Sequence, residues 1–263
     1  MFAAMILDNK VLVVAGVGPG LGREIVRLAV RDGAKVMIAA RREDGLAATA
    51  ADLDPSGKRI AYRRTDITVA DDCAALAAEA LERFGRVDAV IQVAAFERAF
   101  GRLEETDFGT WTKAFETNIL GTMTLLRALV PALRAGGGGA IVLIGSQSMY
   151  IPQLPQAGYA ASKGGLLSAM YYLADELGKD QIRVNMVIPS WMWGPPVEAY
   201  VKMRAKAEKI SEDEVIAQIT SRIPLGRIVP DEDVAEAAIL FASDRTRSIT
   251  GQSLLVNGGE MMR

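Results

Sequence analysis

Tyr159 and Lys163 stand four residues apart in Gly158-Tyr159-Ala160-Ala161-Ser162-Lys163, and Ser146 precedes the tyrosine by thirteen residues. On a helix, positions i and i+4 share a face. An ammonium beside a phenol favours the phenolate and lowers the phenol's pKa. A tyrosine tuned toward neutral pH can exchange a proton with a reacting oxygen. Ser146 follows the apolar run Ala140 to Ile144, which reads as a buried strand. Its hydroxyl is therefore expected at the strand's carboxyl end, the edge where open α/β sheets bind ligands. The plain alternative is a surface tyrosine and lysine on an ordinary helix.

A second pattern lies near the amino terminus. Gly16, Gly20 and Gly22 form G-x-x-x-G-x-G after the apolar stretch Val11 to Val14, and Leu21, Ile25, Leu28 and Ala29 follow at helical spacing. A strand, a glycine-rich turn and a helix N-terminus make a phosphate site. Glycines let the backbone approach a pyrophosphate, and the helix end offers N–H donors and partial positive charge. The spacing is not G-x-G-x-x-G, since Leu21 stands where the last glycine of that fingerprint falls. A flexible loop is the plain alternative for the glycines alone, but their place between strand and helix favours a dinucleotide.

The elements that must position these groups alternate between strand-like and helix-like segments. Strands are expected near 10–15, 35–39, 59–63, 88–94, 139–145, 182–188 and 253–256, and helices near 20–32, 43–52, 69–84, 107–134, 158–178 and 231–243. Such alternation predicts α/β architecture: one Rossmann-like, doubly wound parallel sheet of about seven strands with helices on both faces. A single domain over residues 1–263 is expected, with Gly136 to Gly139 a turn rather than a linker.

Composition narrows the chemistry. The chain has no histidine, which removes Ser-His-Asp and Cys-His catalysis and any histidine-ligated metal site; no metal is expected. Cys73 is the only cysteine, so no internal disulfide can form. Net charge is −2, from 30 basic and 32 acidic residues, and does not suggest a nucleic-acid partner. Asp8 interrupts the first ten residues, which lack a signal-like pattern, and no apolar run is long enough to span a bilayer. A soluble cytoplasmic protein with no membrane partner is the expectation.

Together the residues resemble the short-chain dehydrogenase/reductase family. The resemblance covers nearly the whole chain. It runs through the glycine turn, Asp66 in Thr65-Asp66-Ile67-Thr68, Asn118 in Glu116-Thr117-Asn118-Ile119-Leu120-Gly121, then Ser146, Tyr159, Lys163, Ile182-Arg183-Val184-Asn185 and the ending Gly251 to Gly259. It implies an oxidoreductase that moves hydride between a nicotinamide and a carbonyl or alcohol carbon. Tyr159 is then the general acid or base, Lys163 tunes it and holds the nicotinamide ribose, and Ser146 donates to the substrate oxygen. Asn118 bends its helix and holds a water near the lysine. The cofactor contacts implied are Gly16, Gly20, Leu21, Gly22, Asp66, Ile67, Ala94, Tyr159, Lys163 and Pro189. Asp66 would bind the adenine amino group, with a cap near Thr65 and Thr68 the alternative.

Cofactor choice is read from the end of the second strand. Ala40 stands where members that prefer NAD usually carry Asp, and Arg41 and Arg42 follow. A guanidinium holds a 2′-phosphate by paired, charge-assisted hydrogen bonds. NADP(H) is therefore preferred, with NAD(H) possible; two solvated arginines are the alternative. Three departures touch the cofactor side. Gln92-Val93-Ala94-Ala95 replaces the family's Asn-Asn-Ala-Gly, Pro189-Ser190 replaces Pro-Gly, and Trp191-Met192-Trp193-Gly194 lacks the threonine that often touches the carboxamide.

Substrate contacts are expected from Phe96, Ser148, Met149, Tyr150, Trp191 and Trp193, with Phe100, Leu154 and Met192 nearby. Aromatics and methionines make an adaptable apolar wall, which favours a bulky, largely apolar ketone or secondary alcohol. Packing of a lid against the core is the alternative use of these side chains. In the family, the insertion corresponding to about 191–221 is a mobile lid. Imine or acyl-derived carbonyl reduction and a non-catalytic NADPH sensor are the other readings. The Tyr159–Lys163 spacing disfavours the enoyl type, and the short stretch after Lys163 disfavours a sugar-nucleotide epimerase or dehydratase. Apolar residues fall on two faces of both 111–133 and 159–177, including 120, 125 and 129 in the first and 167, 171 and 174 in the second. A second apolar face needs a partner, and family members pair through these helices; a homotetramer is expected.

Overall fold

The computed structural model describes residues 5–262. Its first half alternates strictly: β1 (Val11–Ala15), α1 (Leu21–Arg31), β2 (Lys35–Ala40), α2 (Glu43–Leu53), β3 (Ile60–Arg64), α3 (Ala70–Phe84) and β4 (Ala89–Gln92). α4 (Phe108–Phe115) then runs through one π-helical stretch, Glu116–Gly121, into α5 (Thr122–Ala135). β5 (Gly139–Ile144), α6 (Ala157–Gly178) and β6 (Ile182–Pro189) follow. Beyond β6 come β7 (Met192–Trp193), α7 (Pro195–Glu208), α8 (Glu212–Thr220), β8 (Val229–Pro230), α9 (Asp231–Ala242) and β9 (Ser253–Val256).

Seven strands form one parallel sheet in the order β3-β2-β1-β4-β5-β6-β9. Every residue of β1 and β4 is buried, as expected for central parallel strands covered on both faces. The order reverses between β1 and β4, which opens a crevice at their carboxyl ends. On one face α1, α2 and α9 pack over the sheet around Leu28, Leu46 and Ile239. On the other, α3, α5 and α6 pack around Leu76, Leu129 and Met170. α1 is strongly one-sided: Leu21, Ile25, Leu28 and Ala29 are buried, and they recur at i, i+4, i+7 and i+8.

All seven expected strands of the sheet form, with ends shifted by two residues at most. The expected single helix over 107–134 is instead two α-helical segments joined by the π stretch that contains Asn118. The segment 191–221 folds into α7 and α8 around a small core of its own: Val201, Ala205, Val215, Ile219 and neighbours. α8 begins with a reciprocal cap. Ser211 accepts from the Glu214 backbone N–H, and the Glu214 carboxylate accepts from the Ser211 N–H. The two-residue pair β7–β8 ties the start of this unit to the base of α9. No helix among the described residues is long and apolar enough to cross a membrane.

Candidate active site

The glycine turn is shaped by close backbone approach. Gly16 has φ +98°, and a Cβ there would lie 2.2 Å from the Ala94 nitrogen. The Gly16 and Val17 N–H groups donate to the Ala39 carbonyl, and the Val93 and Ala94 N–H groups donate to that of Ala15. Three strand ends are thus drawn together at the crevice. A Cβ on Gly22 would meet the Gly16 carbonyl oxygen at 2.6 Å, so this glycine seats α1 under the turn. At Gly18, by contrast, a Cβ would meet nothing within 4 Å. The turn therefore has tight inner glycines and an open outer rim ahead of the α1 N-terminus, a shape that fits a pyrophosphate.

Other cofactor candidates lie around the same crevice. Leu21 is buried as the first residue of α1, and Pro189 is buried as the last of β6. Arg41 and Arg42 are exposed just past β2. Asp66 follows β3; burial raises its carboxyl, but hydrogen bonds from Thr68 hold it below the ordinary range, helped by the positive charges of Arg41 and Arg64. Those bonds come from the Thr68 N–H at 3.0 Å and hydroxyl at 2.7 Å, both to Oδ1. The Asp66 carboxylate thus closes a local turn, while the residue capping α3 is Val69. Ile67 is buried against Gly121 of the π stretch.

Ser146, Ser148 and Tyr159 come together as their spacing predicts. The Ser146 and Ser148 hydroxyl oxygens are 2.9 Å apart, and Ser146 lies near enough to the Tyr159 hydroxyl to act on its pKa. Lys163 is buried one turn along α6, with Nζ 5.8 Å from the centroid of the Tyr159 ring. Nζ donates to the Ile144 carbonyl at 2.7 Å, the last residue of β5.

The expected lowering of the tyrosine pKa is not found. Burial pushes Tyr159 up to about 12, a rise that nearby Ser146 only partly offsets. Burial likewise pulls Lys163 down to about 8. The ammonium sits over the ring at 5.8 Å from its centroid and donates to a carbonyl, and desolvation outweighs its field. The negative charge of Glu97 raises both groups, which brings this exposed loop residue into the electrostatics of the site.

Asn118 is fully buried in the π stretch. Its Oδ1 accepts from the Phe96 N–H at 2.7 Å, and its Nδ2 donates to the Phe96 carbonyl at 3.0 Å and to Ser162 Oγ at 2.8 Å. The helix does depart from α geometry at this residue, as a π stretch, but both amide hydrogens are committed to the loop after β4 and to α6. A water would therefore be held by a carbonyl oxygen rather than by that amide. Ser162 Oγ in turn donates to the Tyr159 carbonyl at 2.7 Å.

The departure at Gln92 has a structural role. Its Nε2 donates to Thr122 Oγ1 at 2.6 Å, and Thr122 Oγ1 donates to the Asn118 carbonyl at 2.9 Å. The longer side chain ties β4 to the π stretch.

The aromatic and methionine residues divide. Met149 and Tyr150 pack against the core between the sheet and α5–α6. Trp191 packs at a tilt against Tyr200 of α7, with ring centroids 5.2 Å apart, and so serves the packing of the α7–α8 unit. Trp193 and Phe100 are exposed.

Comparison with known proteins agrees with this geometry. Residues 16–260 match the family model described as enoyl-(acyl carrier protein) reductase. An L-rhamnose 1-dehydrogenase (NAD(P)(+)) from Azotobacter vinelandii is 33% identical over 262 residues, covering 97% of this chain and 98% of that protein. An L-fucose dehydrogenase from Oryctolagus cuniculus is 32% identical, covering 95% of this chain and 84% of that protein. Among solved structures, a variant of actinorhodin polyketide ketoreductase crystallised with NADPH superposes with TM-score 0.87 at 30% identity, covering 95% of this chain and 97% of that one. With its seven-stranded sheet, glycine turn and matching relatives, the chain belongs to the short-chain dehydrogenase/reductase family and is an NAD(P)-dependent oxidoreductase.

Proposed function

We propose that the chain is an NADP(H)-preferring reductase of a ketone, or dehydrogenase of the matching secondary alcohol, with Tyr159 as the proton-transfer group. The observation that carries this reading is the group Ser146, Tyr159 and buried Lys163, with Nζ 5.8 Å from the Tyr159 ring centroid, at the carboxyl edge of β5 beside the glycine crevice. When bound, the nicotinamide supplies or accepts hydride. Gly16, Gly20, Leu21 and Gly22 would hold the pyrophosphate, Asp66 and Ile67 the adenine, and Ala94 and Pro189 the walls of the crevice.

In reduction, Tyr159 gives its proton to the carbonyl oxygen, and in oxidation its phenolate form takes the alcohol's proton. With its pKa pushed up to about 12, Tyr159 holds that proton at neutral pH, the state a general acid needs. Ser146 donates to the same oxygen and steadies the charge that gathers there. Lys163 places a cation beside the tyrosinate as it forms. Asn118 shapes the π stretch, and its main-chain carbonyl remains the group through which it can serve a proton relay.

NADP(H) preference rests on Ala40, which leaves no acidic side chain at the end of β2, and on the exposed guanidinium of Arg41. Titration of NADPH and NADH by fluorescence tests it. NADPH is expected to bind at least tenfold tighter, and Arg41→Ala to erase most of that margin while leaving NADH within twofold. Equal affinities in the parent would overturn the preference.

For the substrate, Phe96, Met149 and Tyr150 favour a bulky, largely apolar ketone. The paired hydroxyls of Ser146 and Ser148, with Glu97 nearby, favour a second reading, a hydroxylated substrate such as an aldose. The sugar dehydrogenases among the relatives point the same way. A panel of an aromatic ketone, a cyclic diketone, a β-keto thioester and an aldose, followed by cofactor absorbance in both directions, separates the two. Highest kcat/KM on the aromatic ketone supports the first reading, and turnover of the aldose alone supports the second.

A further inference from the structure

Glu260, near the carboxyl terminus, has a side chain only 1% exposed, an uncommon place for a carboxylate. It is far from idle. Oε2 accepts from Gln147 Nε2 at 2.8 Å and from the Ser190 hydroxyl. Oε1 accepts from Gln153 Nε2 and lies 4.0 Å from Arg222 Nε. Charge-assisted bonds of this kind offset the desolvation of a buried carboxylate. The donors belong to separate segments: Gln147 adjoins Ser146, Gln153 lies in the loop that leads to α6 and Tyr159, and Ser190 follows Pro189 at the end of β6.

Gln147 is the centre of the arrangement. It is fully buried, its Oε1 accepts from Asn257 Nδ2 at 2.6 Å, and its Nε2 is spent on Glu260. Removal of the carboxylate leaves that buried amide without an acceptor, and a buried donor without a partner costs more than an ordinary hydrogen bond is worth. The amide must then turn or take in water, and the backbone next to Ser146 moves with it. Ser190 stands at one of the family departures, and its hydroxyl joins the turn after β6 to the same carboxylate.

We propose that Glu260 is a positioning residue that sets the Ser146 loop and the turn after Pro189 for the reaction, acting from the carboxyl-terminal segment through Gln147, Gln153 and Ser190. The kinetic part rests on the reading of Ser146 given above. The test therefore includes a measurement independent of activity.

Hydrogen exchange is compared between the parent and Glu260→Ala, with NADPH affinity and steady-state kinetics on the panel carbonyl the parent reduces fastest. Exchange across 147–155 and 189–193 is expected to speed up at least tenfold, with β1 and β4 unchanged. The NADPH Kd is expected to stay within threefold. kcat/KM is expected to fall at least tenfold, mainly in kcat, because Ser146 acts on the oxygen whose charge grows in the transition state. Ser190→Gly removes one partner and guards against a Glu260 variant that does not fold. It is expected to loosen 189–193 and to lower kcat/KM to a lesser degree.

Unchanged exchange in both segments overturns the proposal, as does uniformly faster exchange in all strands, or a folded Glu260→Ala with parental kcat/KM. If no panel carbonyl is turned over, the substrate reading fails, and the exchange comparison alone decides whether Glu260 holds the loops.

Discussion

Lys163 is pulled down to about 8 and Tyr159 pushed up to about 12, each because burial disfavours its charged form. Spacing made both residues candidates from sequence alone, since i and i+4 on one helix need no tertiary information. The direction of the tyrosine shift was not legible, because it depends on how deeply the pair is buried and on which group Nζ finds. The consequences are measurable. In reduction, kcat/KM is expected to hold from neutral pH and fall with the loss of one proton above about pH 8, as Lys163 loses its charge; a pH–rate profile checks this. Tyr159→Phe removes only the transferable proton, so it is expected to bind NADPH nearly as the parent does and to lose about 10²- to 10⁴-fold in turnover. Lys163→Met is expected to lose both turnover and cofactor affinity, yet to melt higher at pH 7. Folded Lys163 titrates near 8 and the unfolded residue near 10.5, so the unfolded chain carries the extra proton between them and stability rises with pH across that window. Below pH 8 the full cost of the buried ammonium remains. Its removal, less the lost bond to Ile144, is worth roughly 2 kcal/mol, or about 3–5 °C in Tm. Calorimetry at pH 7 and pH 10.5 should show that gain shrinking at the higher pH.

The glycine turn and the π stretch place these residues, and they differ in how far sequence reveals them. Gly16 and Gly22 are legible because backbone contact leaves no room for a Cβ, a demand that surfaces as glycine in the chain. Two substitutions separate architecture from binding. Gly16→Ala forces a Cβ to 2.2 Å from the Ala94 nitrogen at φ +98°, and is expected to cost about 3 kcal/mol or more in denaturant unfolding. Gly18→Ala meets open space within the turn, so its stability is expected within about 0.5 kcal/mol of the parent. It should nonetheless weaken NADPH, because the methyl occupies the rim where the pyrophosphate approaches. Isothermal titration beside urea unfolding distinguishes the two. The π stretch was harder to read. Periodicity ran unbroken from 107 to 134, and one extra residue in a turn shifts the pattern too little to register. What holds it is distant in sequence: Gln92 reaches Thr122 across 30 residues, and Asn118 reaches Ser162 across 44. The Glu260 contacts lie 113, 107 and 70 residues away, with no local signature at all.

At the scale of the whole molecule, the second apolar faces noted in the sequence are only partly open: Leu125 and Leu129 of α5 and Ala174 of α6 are buried within the chain, while Leu120 and Tyr171 are exposed. α6 buries Leu166, Met170, Ala174 and Leu177 against the sheet, while Tyr171 and Tyr172 are exposed, the latter by 77%. Along α4 and the π stretch, Phe108, Phe115 and Leu120 are also exposed. These residues lie on the segments that pack beside the site: Asn118 within the π stretch and Tyr159 and Lys163 on α6. Burial of large aromatic rings is among the stronger contributions to association. A two-fold axis lets the same patch serve both copies, whereas a heterologous contact would need a second matching surface. The expected occupant is therefore a second copy of this chain, with α4 and α6 of each subunit forming a four-helix contact, and a tetramer arising if a second two-fold interface forms elsewhere. Multi-angle light scattering at micromolar concentration checks the mass. A dimer would support the contact and leave the tetramer wrong, and a monomer would remove both. Leu120→Glu and Tyr172→Glu each place a charge in the proposed contact and are expected to lower the mass by at least half, at unchanged secondary structure by circular dichroism. Because α6 carries Tyr159 and Lys163, the dissociated variants should also lose cofactor affinity if subunit contact stiffens that helix, and NADPH titration of the same samples reads this directly.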